Sequence, residues 1–231
     1  MAQGEPPPTY DPGVFAVGDL AQAKSIILTD EDSSTEARWK TETPYLAELI
    51  DERLRLNPGS LVLDYGCGIG RIARELIERT GCSVVGVDFS PRMRALAPQY
   101  VQSERFSACS PELFDALVWA GLRVDAALSV WVLQHCAQPA LDIARIREAL
   151  KAGGQLFLVN MRWRAVPTVA HGWFDDGLDI REMLAAEFDL RESGGLLPER
   201  TTPAVAASSY WACFGSRGDA SGGAGNPLQV L

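Results

Sequence analysis

Two aspartates and three closely spaced glycines are the residues whose types and spacing best suit chemistry. Asp64 lies near the end of the apolar run LVLDY, and Gly66, Gly68 and Gly70 follow directly. Glycine permits tight turns and lets the backbone approach a ligand, because it has no Cβ. Asp88 ends a second apolar run, SVVGVD. A glycine-rich turn after a strand, with an acid at the end of the next strand, is typical of a site for a nucleotide-like ligand.

The glycines alone fit two classes of ligand. Residues 68–73, GIGRIA, match the dinucleotide fingerprint G-x-G-x-x-G/A, and Asp88 follows at the distance of about twenty residues where a ribose-binding acid belongs. Asp64 argues against a pyrophosphate, since a carboxylate just ahead of the turn repels phosphate oxygens. The same carboxylate suits a ligand with an ammonium and a sulfonium, such as S-adenosylmethionine. An NAD-dependent oxidoreductase is therefore the less favoured alternative.

Strands and helices that would position these residues alternate along the chain. A helix is predicted from Thr43, with Thr43 as its cap and Pro44 in its first turn. Later helices are predicted over 70–80 and from Ser90-Pro91 and Pro139. The strands are predicted at 61–65, 83–88, about 103–107, 124–130, 155–160, 188–193 and 208–216, the last two as a closing antiparallel pair. This order predicts an α/β fold, a Rossmann-like doubly wound and mostly parallel sheet.

Composition narrows the classes of partner. The chain has 231 residues and a formal net charge of −9, with no cluster of Lys and Arg that would bind phosphates, so nucleic acid is not expected as a partner. No run approaches the roughly twenty apolar residues of a membrane span, and the N-terminus lacks the features of a signal peptide. Five scattered cysteines suit reduced thiols. We therefore expect a cytoplasmic protein that acts on a small molecule; the sequence does not specify an oligomeric state.

Four segments resemble, in order and spacing, the motifs of class I S-adenosylmethionine-dependent methyltransferases. They are DYGCGIG, VVGVDFSPRM, VDAALSVWVLQH and LKAGGQLFLVN, and the resemblance covers roughly residues 43–160. It implies a seven-stranded sheet with an antiparallel last strand, S-adenosylmethionine as the cofactor, and methyl transfer to an acceptor. We expect the domain to span residues 43–216, between a flexible arm at 1–42 able to act as a lid and a flexible tail at 217–231.

The resemblance also implies roles for the residues around the glycine turn. The backbone of Gly66, Cys67, Gly68 and Gly70 would cradle the methionine end of the cofactor, and Asp64 would interact with its amino group. Asp88 would accept the ribose hydroxyls, and Phe89 would pack on the adenine. Many relatives place an aspartate after the third strand; here Ser110 falls near that place, beside Cys109, so adenine recognition would rest on Ser110 and backbone groups.

The segments after strands four and five are expected to hold the acceptor, because ligands bind beyond the carboxyl ends of parallel strands. Trp131 would line the pocket, and His135 is the candidate general base, with Gln134 beside it. Relatives that use a metal carry E-x-x-E-H here; this chain has no carboxylate over 131–135, so no metal is predicted.

Other residues are candidates for contacting or enclosing the acceptor. Arg162 or Arg164 would bind an acidic group, and Trp39 would belong to the lid. The alternative for each is ordinary packing or a solvated loop. We expect a small-molecule acceptor that reacts through oxygen or nitrogen. Because the sequence holds no unmistakable base, a non-catalytic S-adenosylmethionine-binding regulatory protein is the alternative function.

Overall fold

The computed structural model describes residues 9–29 and 33–217 of the chain. Residues 1–8, at the start of the predicted arm, and residues 218–231, nearly all of the predicted tail, lie outside the described residues. The strands are β1 Leu61–Tyr65, β2 Ser83–Val87, β3 Phe106–Cys109, β4 Val124–Val130, β5 Leu150–Met161, β6 Val166–Thr168, β7 Gly172–Phe174, β8 Phe188–Gly194 and β9 Ser209–Ser216. The α-helices are α1 Leu20–Ile27, α2 Thr35–Leu54, α3 Arg71–Thr80, α4 Pro91–Val101, α5 Pro111–Trp119, α6 Pro139–Ala149, α7 Ile180–Glu187 and α8 Pro203–Ser208.

Within the described residues, seven strands form one sheet in the order β3-β2-β1-β4-β5-β9-β8. Strands β1 to β5 pair in parallel, whereas β9 is antiparallel to both β5 and β8. The predicted α/β class, the mostly parallel sheet and the antiparallel last strand are confirmed. One apolar cluster, with α2 and α3, covers one face of the sheet, and a second, with α6 and α7, covers the other.

The predicted start of a helix at Thr43 is wrong. Helix α2 begins eight residues earlier, at Thr35, after the Ser34 cap, so that Pro44 lies inside the helix and not in its first turn. The sequence looked polar there because Arg38 and Glu42 are both buried and bond each other, with Nε to Oε1 at 2.7 Å. A buried ion pair hides the apolar face on which pattern-based prediction relies.

The third strand is also displaced from its predicted position at about 103–107. Helix α4 ends at Val101, the capping residue Gln102 takes a left-handed conformation, and the chain then turns around Ser103. The Ser103 carbonyl accepts a hydrogen bond from the Phe106 N–H at 3.3 Å, so β3 starts only at Phe106. Strand β5 starts earlier than predicted, at Leu150, because α6 ends at Ala149.

The N-terminal segment crosses the carboxyl edge of the sheet. Residues 9–17, here named the strap, contain a short 3-10 helix at Pro12–Phe15 that is capped by Asp11. The strap pairs with the two-stranded hairpin β6–β7: the Asp11 N–H donates to the Pro167 carbonyl at 2.9 Å, and the Val169 N–H donates to the Thr9 carbonyl at 3.0 Å. The strap and hairpin were not predicted as elements, and together they lie over the end of the sheet where ligands bind.

Candidate functional site

The glycine turn joins β1 to α3 and closes tightly against the neighbouring strands. The backbone φ angles of Gly66, Gly68 and Gly70 are 80°, 55° and 83°, values that residues other than glycine rarely adopt. A Cβ on Gly66 would lie only 2.2 Å from Cγ2 of Val132. The turn therefore requires glycine for backbone conformation and for space, and it presents a bare backbone at the carboxyl end of β1.

Asp64 lies on β1 with its carboxyl buried beneath this turn. It is 3% exposed. Burial, reinforced by the nearby charge of Asp88, raises the pKa of Asp64 from 3.8 to about 7, and Arg71 opposes the rise. The carboxyl group of Asp64 therefore takes up a proton readily, and a cation beside it would stabilise its ionised form.

Asp88 follows β2, and its carboxylate faces the turn. Its Oδ2 accepts the Gly68 N–H at 2.8 Å, and its Oδ1 accepts the Ser90 N–H at 2.8 Å. Burial raises the pKa of Asp88, whereas these two hydrogen bonds lower it. Each carboxylate oxygen has a second acceptor position. The group is therefore fixed in place and can still accept hydrogen bonds from a pair of hydroxyls.

A cavity of about 180 Å³ lies above the turn. Eight of the sequence-predicted site residues line it: Asp64, Gly66, Cys67, Gly68, Asp88, Phe89, Trp131 and His135. The cavity is also lined by residues that sequence reasoning did not single out, among them Tyr10, Phe15, Ile27, Arg71 and Val132. Two acids, a glycine turn and an aromatic wall therefore meet in one space.

The other predicted site residues lie outside this lining. Gly70 precedes α3 as its N-terminal cap, and the Ser110 hydroxyl caps α5 by accepting the Leu113 N–H at 3.3 Å. Trp39 is buried on α2 and donates its indole N–H to the Tyr100 hydroxyl at 2.9 Å. Arg162 is exposed beside a separate cavity of about 140 Å³.

Arg164 is buried and bonded to protein groups. Its Nε donates to Oδ1 of Asp176 at 3.0 Å, and its terminal nitrogens donate to the carbonyls of Leu133 and Cys136. The guanidinium therefore holds the turn after β4, and Asp176 lies on the chain after the hairpin. In the described structure its hydrogen bonds go to these protein groups.

The turn after β4 is strained. Trp131 has a φ of 55°, an outlier for a bulky side chain, and its indole N–H donates to the Ser209 hydroxyl at 3.1 Å. Such strain persists only where the surroundings enforce it, and it is found disproportionately at functional sites. The strained backbone places the Trp131 ring along the cavity.

His135 has a defined tautomer. Its Nδ1 lies 2.6 Å from the Ala165 carbonyl, which can only accept, so Nδ1 carries the hydrogen. Nε2 then accepts from the Gln134 amide nitrogen at 3.2 Å, while the amide oxygen of Gln134 accepts the Met161 N–H. Burial lowers the pKa of His135 and favours the neutral ring. A general-base role for His135 stays a prediction, and it requires Gln134 to release Nε2.

The strap brings further aromatic rings over the cavity. The Phe15 ring lies 5.6 Å from Phe89, 5.7 Å from His135 and 6.1 Å from Trp173, measured between centroids. Sequence reasoning did not identify Phe15, because a single phenylalanine among prolines and glycines carries no periodicity. These rings form one aromatic cluster, and three of its members, Phe15, Phe89 and His135, line the cavity.

No cluster of three or more His, Cys, Asp or Glu that could hold a metal occurs within residues 9–29 and 33–217. Among the helices in these same ranges, none has the length and apolar character needed to cross a bilayer.

The residues present fit S-adenosylmethionine. The turn around Gly66 must stay without a Cβ, which would meet Val132 at 2.2 Å, and its bare backbone lines the same cavity as the carboxyl groups of Asp64 and Asp88. The sheet order, the antiparallel β9 and this turn define a Rossmann-like α/β protein of the methyltransferase type.

Comparisons with known proteins agree. Residues 62–154 match the family described as "Methyltransferase domain". Phosphoethanolamine N-methyltransferase 2 of Caenorhabditis elegans is 32% identical over 117 residues, 47% of this chain and 27% of that protein. A ubiquinone biosynthesis O-methyltransferase of Cereibacter sphaeroides is 30% identical over 132 residues, 50% of this chain and 53% of that protein. A structure of geranyl diphosphate methyltransferase in complex with S-adenosylmethionine has a TM-score of 0.62 at 15% identity, covering 91% of this chain and 96% of that one.

Residues 62–154 are therefore a methyltransferase domain, and the sheet has the strand order of the class I S-adenosylmethionine-dependent methyltransferase fold. The matched segments span about half or less of the length of the two curated relatives.

Proposed function

We propose that this protein transfers a methyl group from S-adenosylmethionine to an oxygen or nitrogen atom of a small molecule. The observation that carries the proposal is the pair of acids, Asp64 and Asp88, that line one cavity together with a bare glycine turn. Such an arrangement disfavours a pyrophosphate and favours a cationic nucleoside.

Within this proposal, Asp88 and the turn bind the nucleoside. Asp88 accepts the ribose hydroxyls with the acceptor positions that Gly68 and Ser90 leave free. Phe89, 44% exposed, offers its ring to the adenine. Asp64 binds the ammonium, which favours the ionised carboxylate and so lowers its raised pKa.

The acceptor would enter beneath the strap. Its walls are Phe15, Trp173 and His135, whose rings lie within 6.1 Å of one another between centroids. An aromatic enclosure excludes water and favours a planar or apolar acceptor. Bound S-adenosylmethionine supplies a methyl carbon already activated by the positive sulfur, so the protein's main contribution is alignment.

The relatives support a small acceptor. The two curated relatives are named as an N-methyltransferase of phosphoethanolamine and an O-methyltransferase of ubiquinone biosynthesis, and both names refer to a small molecule. We further propose that the strap, which belongs to the predicted arm, acts as the lid that sequence analysis expects. The supporting observation is that Phe15 rests on Phe89 and His135 rather than on the core.

The test is methyl transfer itself. The full chain is incubated with S-adenosylmethionine labelled in the methyl group and with fractions of small-molecule extract. We expect S-adenosylhomocysteine to form together with a product heavier by one methyl group, and Asp88→Ala to abolish both. Tight binding of S-adenosylmethionine without turnover in any fraction would instead support the non-catalytic binding protein.

A further inference from the structure

Arg71, the first residue of α3, is a buried cation without a hydrogen-bond partner for its terminal atoms. It is 3% exposed. Over residues 9–29 and 33–217, neither Nη1 nor Nη2 has a partner, and both atoms are buried. An unpaired buried guanidinium is costly to fold, and burial lowers the pKa of Arg71 to about 10. The unpaired guanidinium of Arg71 therefore indicates that a ligand supplies its hydrogen-bond acceptor.

Two tryptophans hold the guanidinium. Its central carbon lies 5.6 Å from the ring centroid of Trp39 and 5.6 Å from that of Trp131. Cation–π contacts of this kind stabilise the charge but leave the N–H donors unsatisfied. The donors therefore remain available to an acceptor, and Arg71 lines the same cavity as Asp64.

The nearby acids do not use these donors. Glu42 is buried and already bonded to Arg38: Nε and Nη2 of Arg38 donate to the two carboxylate oxygens of Glu42 at 2.7 Å and 3.3 Å. Asp64 feels the positive charge of Arg71, which lowers its pKa, but accepts no hydrogen bond from Nη1 or Nη2. The cavity thus presents a carboxylate that needs a cation and a guanidinium that needs an anion. An α-amino acid carries both groups on one carbon.

We propose that Arg71 binds the α-carboxylate of S-adenosylmethionine through Nη1 and Nη2, with Trp39 and Trp131 holding the guanidinium in place. The inference rests on the proposed function and deepens it. It makes the site selective for an intact amino-acid end: S-adenosylmethionine and S-adenosylhomocysteine bind, whereas decarboxylated S-adenosylmethionine leaves the guanidinium buried and unpaired. It also gives Trp39, which does not line the cavity, a positioning role.

The experiment compares two ligands that differ only in the carboxylate. Calorimetry measures the affinity of the full chain for S-adenosylmethionine and for decarboxylated S-adenosylmethionine. Loss of one partner from a buried charge pair predicts that the wild type prefers the intact ligand at least about thirtyfold. In Arg71→Gln the preference falls to less than about threefold, and Arg71→Lys, which keeps the charge, restores part of it. The matched control is Arg79→Gln near the end of the same helix, where the exposed Arg79 pairs with Asp51 at 3.1 Å; it keeps the wild-type preference.

The outcomes separate the two proposals. Equal affinity of the wild type for both ligands would overturn the role of Arg71 and leave the proposed function standing. An unchanged preference in a folded Arg71→Gln protein, checked by circular dichroism, would overturn it as well. If Arg71→Gln does not fold, the role of Arg71 is tested by the ratio of the two affinities in the wild type and in Arg71→Lys. Failure of the wild type to bind either ligand would refute the proposed function itself.

Discussion

Asp64 is the residue on which the ligand assignment turns. The turn that follows it would accept a dinucleotide or S-adenosylmethionine, and only the buried carboxyl beneath the turn distinguishes them. The sequence predicts this residue and its charge. It does not predict the raised pKa, which arises from burial and from Asp88, a neighbour more than twenty positions away in the chain but close in space.

The pKa of Asp64 predicts how cofactor binding varies with pH. Its folded pKa of about 7 lies above the unfolded value of 3.8, so the apo protein binds more protons than the unfolded chain between these values. Stability of the apo protein therefore falls as pH rises from about 4 to about 7, and is level above. An ammonium beside Asp64 requires the ionised form. S-adenosylmethionine should therefore bind about tenfold more weakly for each pH unit below 7, with release of about one proton at pH 6.

Calorimetry at pH 6 in buffers of different ionisation enthalpy measures that proton. Asp64→Asn, which cannot ionise, should bind weakly, release none, and lose the fall in stability between pH 4 and 7. Proton release by Asp64→Asn equal to that of the wild type would assign the titration to another group.

Gly66 tests the turn at the same scale. A Cβ there meets Val132 at 2.2 Å, whereas a Cβ on Gly121, also at positive φ, meets nothing within 4 Å. Both alanine variants bear the strain of a left-handed residue, but only Gly66→Ala also overpacks. It should lose about 1–3 kcal/mol more unfolding free energy than Gly121→Ala in urea titrations. Gly66→Ala should also bind S-adenosylmethionine more weakly. Equal losses of stability in the two variants would show that the turn can accommodate a Cβ at position 66.

At the scale of elements, prediction succeeded where a pattern was local. Strand β1 and the cap of α3 at Gly81 follow from an apolar run and a glycine. The start of α2 does not, because its first half buries Arg38, Trp39 and Glu42 and so lacks the expected polar and apolar alternation. Arg71 does carry a signal in the sequence, because a cation at a helix N-terminus opposes the helix dipole and therefore indicates another role.

The strap and the hairpin β6–β7 could not be read from the sequence, because each is defined by its pairing with the other. If the strap is the lid, Tyr10 and Phe15 are its contacts with the ligand site. Phe15→Ala should speed release of S-adenosylhomocysteine about tenfold, followed by tryptophan fluorescence in stopped flow, through loss of buried aromatic area.

Val14 supplies the control, since it lies on the same 3-10 helix, is 37% exposed and does not line the cavity. Val14→Ala should leave the release rate unchanged. Equal rates for the two variants would show that the strap does not retain the ligand.

At the scale of the whole molecule, the seven-stranded sheet places the main residues of the candidate site along one edge. Strands β1, β2 and β4 deliver the glycine turn, Asp88 and Trp131 to the same edge, because parallel strands end together. The net charge of −9 predicts that the protein does not bind nucleic acid. Fluorescence anisotropy with duplex DNA and RNA at low salt would check this prediction.

The most direct measurement is thermal unfolding of the full chain with S-adenosylmethionine, S-adenosylhomocysteine or NAD at equal concentrations. A ligand at about 100 times its Kd adds about 2.7 kcal/mol of stability, which raises the Tm of a chain of this size by about 5–10 °C. We predict such a rise with S-adenosylmethionine and with S-adenosylhomocysteine, none with NAD, and its loss in Asp88→Ala. A rise with NAD alone would contradict the assignment of the cavity.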